Sequence, residues 1–92
     1  MLIFNKVTTA QTSMPFKVSP GRTPAIKSTG LAGAEVINLM CEINDQFVPA
    51  TDSSGAAIQF TATNPNRTIT ADGIYQAVLP ANPVSPVTLQ LG

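Results

Sequence analysis

Apolar and polar residues alternate between the prolines and glycines of this chain. In GAAIQFTAT, residues 55–63, Ala56, Ile58, Phe60 and Ala62 fall on one side and Ala57, Gln59, Thr61 and Thr63 on the other. PVTLQLG at 86–92 repeats the pattern, with Val87, Leu89 and Leu91 set against Thr88 and Gln90. Successive side chains of a strand point to opposite faces, so a period of two predicts a sheet with one face buried and one wet. Ile58, Phe60, Val87 and Leu89 are therefore expected together in the core. ADGIYQAVLP at 71–80 reads as a further strand behind a glycine turn, and TDSSG, NPN at Asn64–Asn66 and ADG at Ala71–Gly73 supply turn chemistry.

One segment fits two periods. GAEVINLMCEI at 33–43 offers Ile37, Leu39, Cys41 and Ile43 to a strand, and Val36, Leu39, Met40 and Ile43 to a helix. The β-branched Val36, Ile37 and Ile43 and the preceding Gly33 favour the strand.

The pattern fails from Met14 to Gly33. MPFKVSPGRTPAIKSTGLAG carries three prolines and three glycines, and proline belongs to loops and sheet edges. This stretch is expected to be a long connection or an extended arm. The fold class that follows is all-β: a small antiparallel β-sandwich or partly open barrel with an extended Pro-rich N-terminal segment. Residues 1–30 are expected to form an arm or edge strands, and residues 31–92 the sandwich domain.

Composition narrows the picture further. A chain of 92 residues is one small domain with a thin stability margin. Its single cysteine, Cys41, cannot close an internal disulfide, and without histidine the usual transition-metal sites are missing. A partner is the remaining source of stability, most simply further copies of the chain.

The formal charge is zero, but its distribution is uneven. Lys6, Lys17, Arg22 and Lys27 all lie within the first 34 residues, which hold no acid. Glu35, Glu42, Asp45, Asp52 and Asp72 follow, with only Arg67 among them. These cations are too dilute for nucleic acid, which calls for clustered Lys and Arg with aromatics between them. Laid on an acidic neighbour, however, a basic arm would set register and partner choice. MLIFNKVTT lacks the charged start and long apolar run of a signal peptide, and no stretch reaches the length of a membrane helix. Synthesis and retention in a cytoplasm are expected, which suits a reduced Cys41.

No residue of the sequence is expected to be catalytic, cofactor-binding or metal-binding. Cys41 has no imidazole to activate it, and beside Leu39 and Met40 it reads as a buried, inert thiol. Asp45 and Asp52 bracket QFVPAT as solvated turn residues, and TDSSG lacks the strand–turn–helix setting of a nucleophile. NRT at 66–68 matches a glycosylation acceptor only by chance if the chain is not secreted. Tyr75, the only tyrosine, is either a core anchor or a contact on a partner surface.

From Gly33 onward turn and strand signals follow one another in a definite order. A strand with the main hydrophobic stripe, Val36 to Ile43, is followed by an aromatic with VP, Phe47 to Pro49. A D-x-x-G turn and strand come next, Asp52 to Thr63, then a G-x-Y strand, Gly73 to Leu79, and a closing V-T-L, Val87 to Leu89. Over about 60 residues this layout resembles small β-sandwich virion proteins of tailed bacteriophages, most closely capsid decoration (cement) proteins. The first 33 residues show no such match.

The resemblance implies a structural protein, not an enzyme, that binds the outer surface of a phage capsid and stabilises contacts between major capsid subunits. It implies the major capsid protein as partner and a homo-oligomer, dimer or trimer. No nucleic acid, membrane, small-molecule substrate or cofactor enters, and the location is the virion, after synthesis in the host cytoplasm. A tail or head–tail joining subunit, or a carbohydrate-binding surface domain, is the alternative. Lys17, Arg22, Lys27 and Tyr75 are the residues expected to meet the partner.

Overall fold

The computed structural model describes all 92 residues, and it contains ten strands and no helix. They are β1 (Leu2–Val7), β2 (Gln11–Thr12), β3 (Phe16–Val18), β4 (Ala25–Thr29), β5 (Val36–Ile43), β6 (Gln46–Pro49), β7 (Gln59–Thr61), β8 (Asn66–Thr68), β9 (Gly73–Leu79) and β10 (Val87–Leu91). Every pairing is antiparallel. A four-stranded sheet runs β1–β10–β4–β8. In the six-stranded sheet, β2 and β3 follow one another along one side of β9, and β6 and β7 along the far side of β5. The strands curl into a half-barrel.

Both sheets contribute to one cluster of 15 buried residues. Phe4, Ile26, Val87 and Leu89 come from the four-stranded sheet, and Phe16, Val18, Ile37, Leu39, Phe60, Tyr75, Ala77 and Leu79 from the six-stranded one. The alternation on β7 and β10 thus places Phe60, Val87 and Leu89 inward, with Ile58 just before β7. Ala56 and Ala62, expected on the same side, are exposed, because β7 spans only three residues and the chain turns away at both ends.

The ambiguous segment is a strand. β5 pairs with β6, β7 and β9, and Ile37 and Leu39 are buried on its inner face. It reverses into β6 through Asn44 and Asp45, with φ of 54° and 64°, between the paired Ile43 and Gln46. A two-residue hairpin loop wants positive φ at both positions, which matches the right-handed strand twist, and Asn and Asp tolerate it best after glycine.

The N-terminal 30 residues are built into both sheets, with β1, β2 and β3 at the edges. They supply four strands, one of which, β4, lies inside the four-stranded sheet between β10 and β8. The prolines that obscure the pattern fall outside the strands: Pro15 precedes β3, Pro20 follows it, and Pro24 precedes β4. β4 also hides its inward face by burying a serine beside Ile26. Ser28 donates from both its backbone N–H, at 2.9 Å, and its hydroxyl, at 3.2 Å, to the Pro65 carbonyl. Two residues before Pro15, Ser13 pairs with Ala77 through both backbone and side chain: its N–H donates to the Ala77 carbonyl at 2.8 Å. Its hydroxyl oxygen accepts the Ala77 N–H at 2.9 Å.

β1 is an edge strand with two irregularities. Its partners on β10 step from Gln90 to Leu89 to Val87 while β1 advances from Leu2 to Phe4 to Val7, leaving one extra residue in each interval. Lys6, with φ of 50°, takes up the second. The bulges bring Phe4 and Val7 to the same side despite their odd spacing, and they bend an edge that would otherwise template further pairing.

Candidate functional site

The uneven charge along the chain becomes a difference between sheets. β1, β4, β8 and β10 contain Lys6, Lys27 and Arg67 and no acidic residue. All five acids lie elsewhere: Glu42 on β5, and Glu35, Asp45, Asp52 and Asp72 in turns and loops. Chain order puts four of the five cations early, and the pairing of β1 and β4 with β10 brings two of them, Lys6 and Lys27, onto one sheet.

Lys27 is exposed between the buried Ile26 and Ser28, so it stands on the outer face, with Gln90 and Asn66 opposite it on the neighbouring strands. Lys6 is exposed at the second bulge, its backbone N–H bonded to Thr88 Oγ1 at 3.2 Å. Neither lysine has an ion-pair partner, because Arg67 with Asp52, at 3.4 Å, is the only pair in the molecule. Arg67 also donates to the Gln59 carbonyl at 3.3 Å, which ties β8 to the other sheet.

Asp52 is held as an anion by its own turn. Its carboxylate lies below the usual range because the Ser54 hydroxyl, the Ala56 N–H and the Ser54 N–H all donate to it, with a smaller contribution from Arg67. Glu35 is similarly occupied: it accepts from the Ala32 N–H at 2.9 Å and the Val84 N–H at 2.7 Å, joining the loop after β4 to the loop before β10.

The four residues expected at a partner surface do not form one patch. Lys17 is exposed on β3 in the six-stranded sheet, whereas Lys27 belongs to the other sheet. Arg22 sits in the turn between them and lines, with Lys17, Ser19 and Pro24, a cleft of about 290 Å³ beside Leu91 and Gly92. Tyr75 leaves the set altogether. It is buried, its ring stacked 6.1 Å from that of Phe16, and its hydroxyl donates to the Ala71 carbonyl at 2.7 Å. Burial, and then the charges of Cys41 and Asp72, push its phenol above the usual value. Cys41 itself is half-buried against the core, not enclosed, because β5 leaves the core here and Ile43, next on that face, is exposed. No three Cys, Asp or Glu side chains converge in a way that could hold a metal ion.

A feature that alternation alone does not reveal lies on the outer face of the six-stranded sheet. Asn38, Met40, Pro49, Ala57, Gln59 and Val78 line a groove of about 380 Å³. The available signal was that β5 and β9 carry Met40 and Val78 at positions an ordinary wet face would fill with polar residues.

No protein-family model, curated protein or solved structure matches the chain.

Proposed function

We propose that this protein is a structural binding module of a tailed-phage particle, a decoration protein that docks on the outer capsid surface and links neighbouring major capsid subunits. The observation that carries this reading is the acid-free four-stranded sheet, whose exposed Lys6 and Lys27 have no internal partners. Unpaired cations on a strand-built face favour an acidic partner surface and steer the approach to it. The layout from Val36 to Leu89 supplies the capsid as the partner, and the two sheets are read as the halves of a sandwich whose work is shape and surface. Arg22, beside the same sheet's end at Leu91 and Gly92, extends the basic rim.

Co-sedimentation with undecorated capsids tests this. The expected result is saturable binding at a copy number matching the capsid subunits, weakened by salt and by the Lys6→Glu/Lys27→Glu double variant. Binding that ignores both salt and the double variant would remove the basic sheet from the contact. Incorporation at the low copy number of a neck or tail ring would favour the joining-subunit alternative.

A further inference from the structure

The outer face of the six-stranded sheet carries apolar side chains along β9 and one charge on either side of it, Lys17 and Glu42. β9 runs along its centre, with Val78, Gln76 and Ile74 outward between the buried Leu79, Ala77 and Tyr75. The registers place Thr12 and Asn38 on either side of Val78. Met40 is paired with Gln76 on one side, and on the other Met14 follows Ser13, whose carbonyl accepts the Gln76 amide at 3.0 Å. Lys17 is paired with Ile74, and Glu42 comes next on β5 after Cys41, which faces Tyr75. One column therefore reads Thr12, Met14, Lys17, and the opposite column Asn38, Met40, Glu42.

The geometry points to a homodimer formed by packing this face on its counterpart in a second copy, about a twofold axis along β9. Such an axis exchanges the two columns. Lys17 then lies over Glu42 of the second copy and Glu42 over its Lys17, opposite charges meeting twice. Neither residue has an ion-pair partner within its own chain, since Ile74 stands between them.

Met14 lies over Met40 in the same way. It is 84% exposed, a flexible apolar side chain standing clear of the sheet edge, and the groove at Met40, Pro49 and Val78 can receive it. Thr12 meets Asn38, whose carbonyl is engaged by Gln59 at 2.8 Å while its amide protons are free to donate. On the axis, Ile74, which is 37% exposed, and Val78 meet themselves. A face that matches itself residue by residue under one rotation is what an isologous contact requires, and sheets stacked this way align within about 30°.

This contact leaves the four-stranded sheet free, so it is independent of the capsid reading, and it is measured on the protein alone. Sedimentation equilibrium of the full chain, from micromolar to sub-millimolar concentration, should show a monomer–dimer equilibrium. Lys17→Glu and Glu42→Lys should each weaken it by at least about tenfold, since each places like charges together twice. The double variant Lys17→Glu/Glu42→Lys should restore it. Met14→Asp should weaken it as well, and because all three side chains are exposed, circular dichroism of the variants should match that of the wild type. A wild type that stays monomeric throughout overturns the proposal and leaves the face to another occupant. Single reversals without effect, or a double variant that does not recover, overturn it equally.

Discussion

Gly30 passes so close beneath Pro86 that a Cβ on it would lie 2.1 Å from the Pro86 carbonyl oxygen. Its φ of 95° also belongs to the region that side chains avoid. This contact closes the loop after β4 against the loop before β10, the same two loops that Glu35 joins through Ala32 and Val84. Gly30→Ala should therefore cost about 3 kcal/mol or more, combining overpacking against backbone with left-handed strain. Gly33→Ala, at φ of 58° with nothing near the added carbon, should cost only about 1 kcal/mol. Urea denaturation of the two variants measures the difference, and equal costs would show that the Pro86 carbonyl can move aside.

Tyr75 joins the core to a turn. Its ring packs on Phe16, and its hydroxyl holds the Ala71 carbonyl just before the Asp72–Gly73 corner. Tyr75→Phe keeps the packing and removes the donor, so the expected loss is about 1 to 2 kcal/mol. The phenol of the wild type should titrate above 10.0 in the folded protein, followed by its ultraviolet absorbance. Titration at the value of free tyrosine would mean that the ring is not buried.

The Asp52 turn predicts a specific response to acid. The carboxylate's folded pKa is below its ordinary value of 3.8. Its stabilisation is therefore complete above that value and is lost as the pH falls through the lower folded value. Melting temperatures should be level from neutral pH down to the region of 3.8 as far as this group is concerned, and decline below it. Asp52→Ala should melt lower at neutral pH and show a shallower decline in acid, because the anion that accepts from Ser54 and Ala56 is gone. An identical acid limb in the two proteins would place the pH dependence on other carboxylates.

Removal of residues 1–30 should abolish folding. It takes away β1 to β4 and with them Phe4, Phe16, Val18 and Ile26 from the core, leaving β8 and β10 without a neighbour and one side of β9 open. Circular dichroism of the truncated chain should show no cooperative melt. A cooperative melt would restore the idea of an arm attached to an independent domain.

The sequence by itself determined which residues turn inward where alternation runs unbroken by proline. Alternation at Ile37 and Leu39, at Phe60, and at Val87 and Leu89 is a local property of an extended chain, so it is legible wherever no proline interrupts it. The absence of histidine and the single cysteine were equally plain, as was the early placement of the cations. Tertiary structure alone decided where β3 and β4 belong, because Pro15, Pro20 and Pro24 interrupt the pattern around them and β4 turns a serine inward beside Ile26. It also withdrew Tyr75 from the surface and separated Lys17 from Lys27. Both outcomes follow from register, which pairs residues dozens of positions apart: Tyr75 with Phe16 and Cys41, Lys27 with Gln90 and Asn66, Lys17 with Ile74. Alternation says which side of a strand a residue occupies, but not which strand lies beside it. That choice depends on how ten short strands share one core, and only the folded chain makes it.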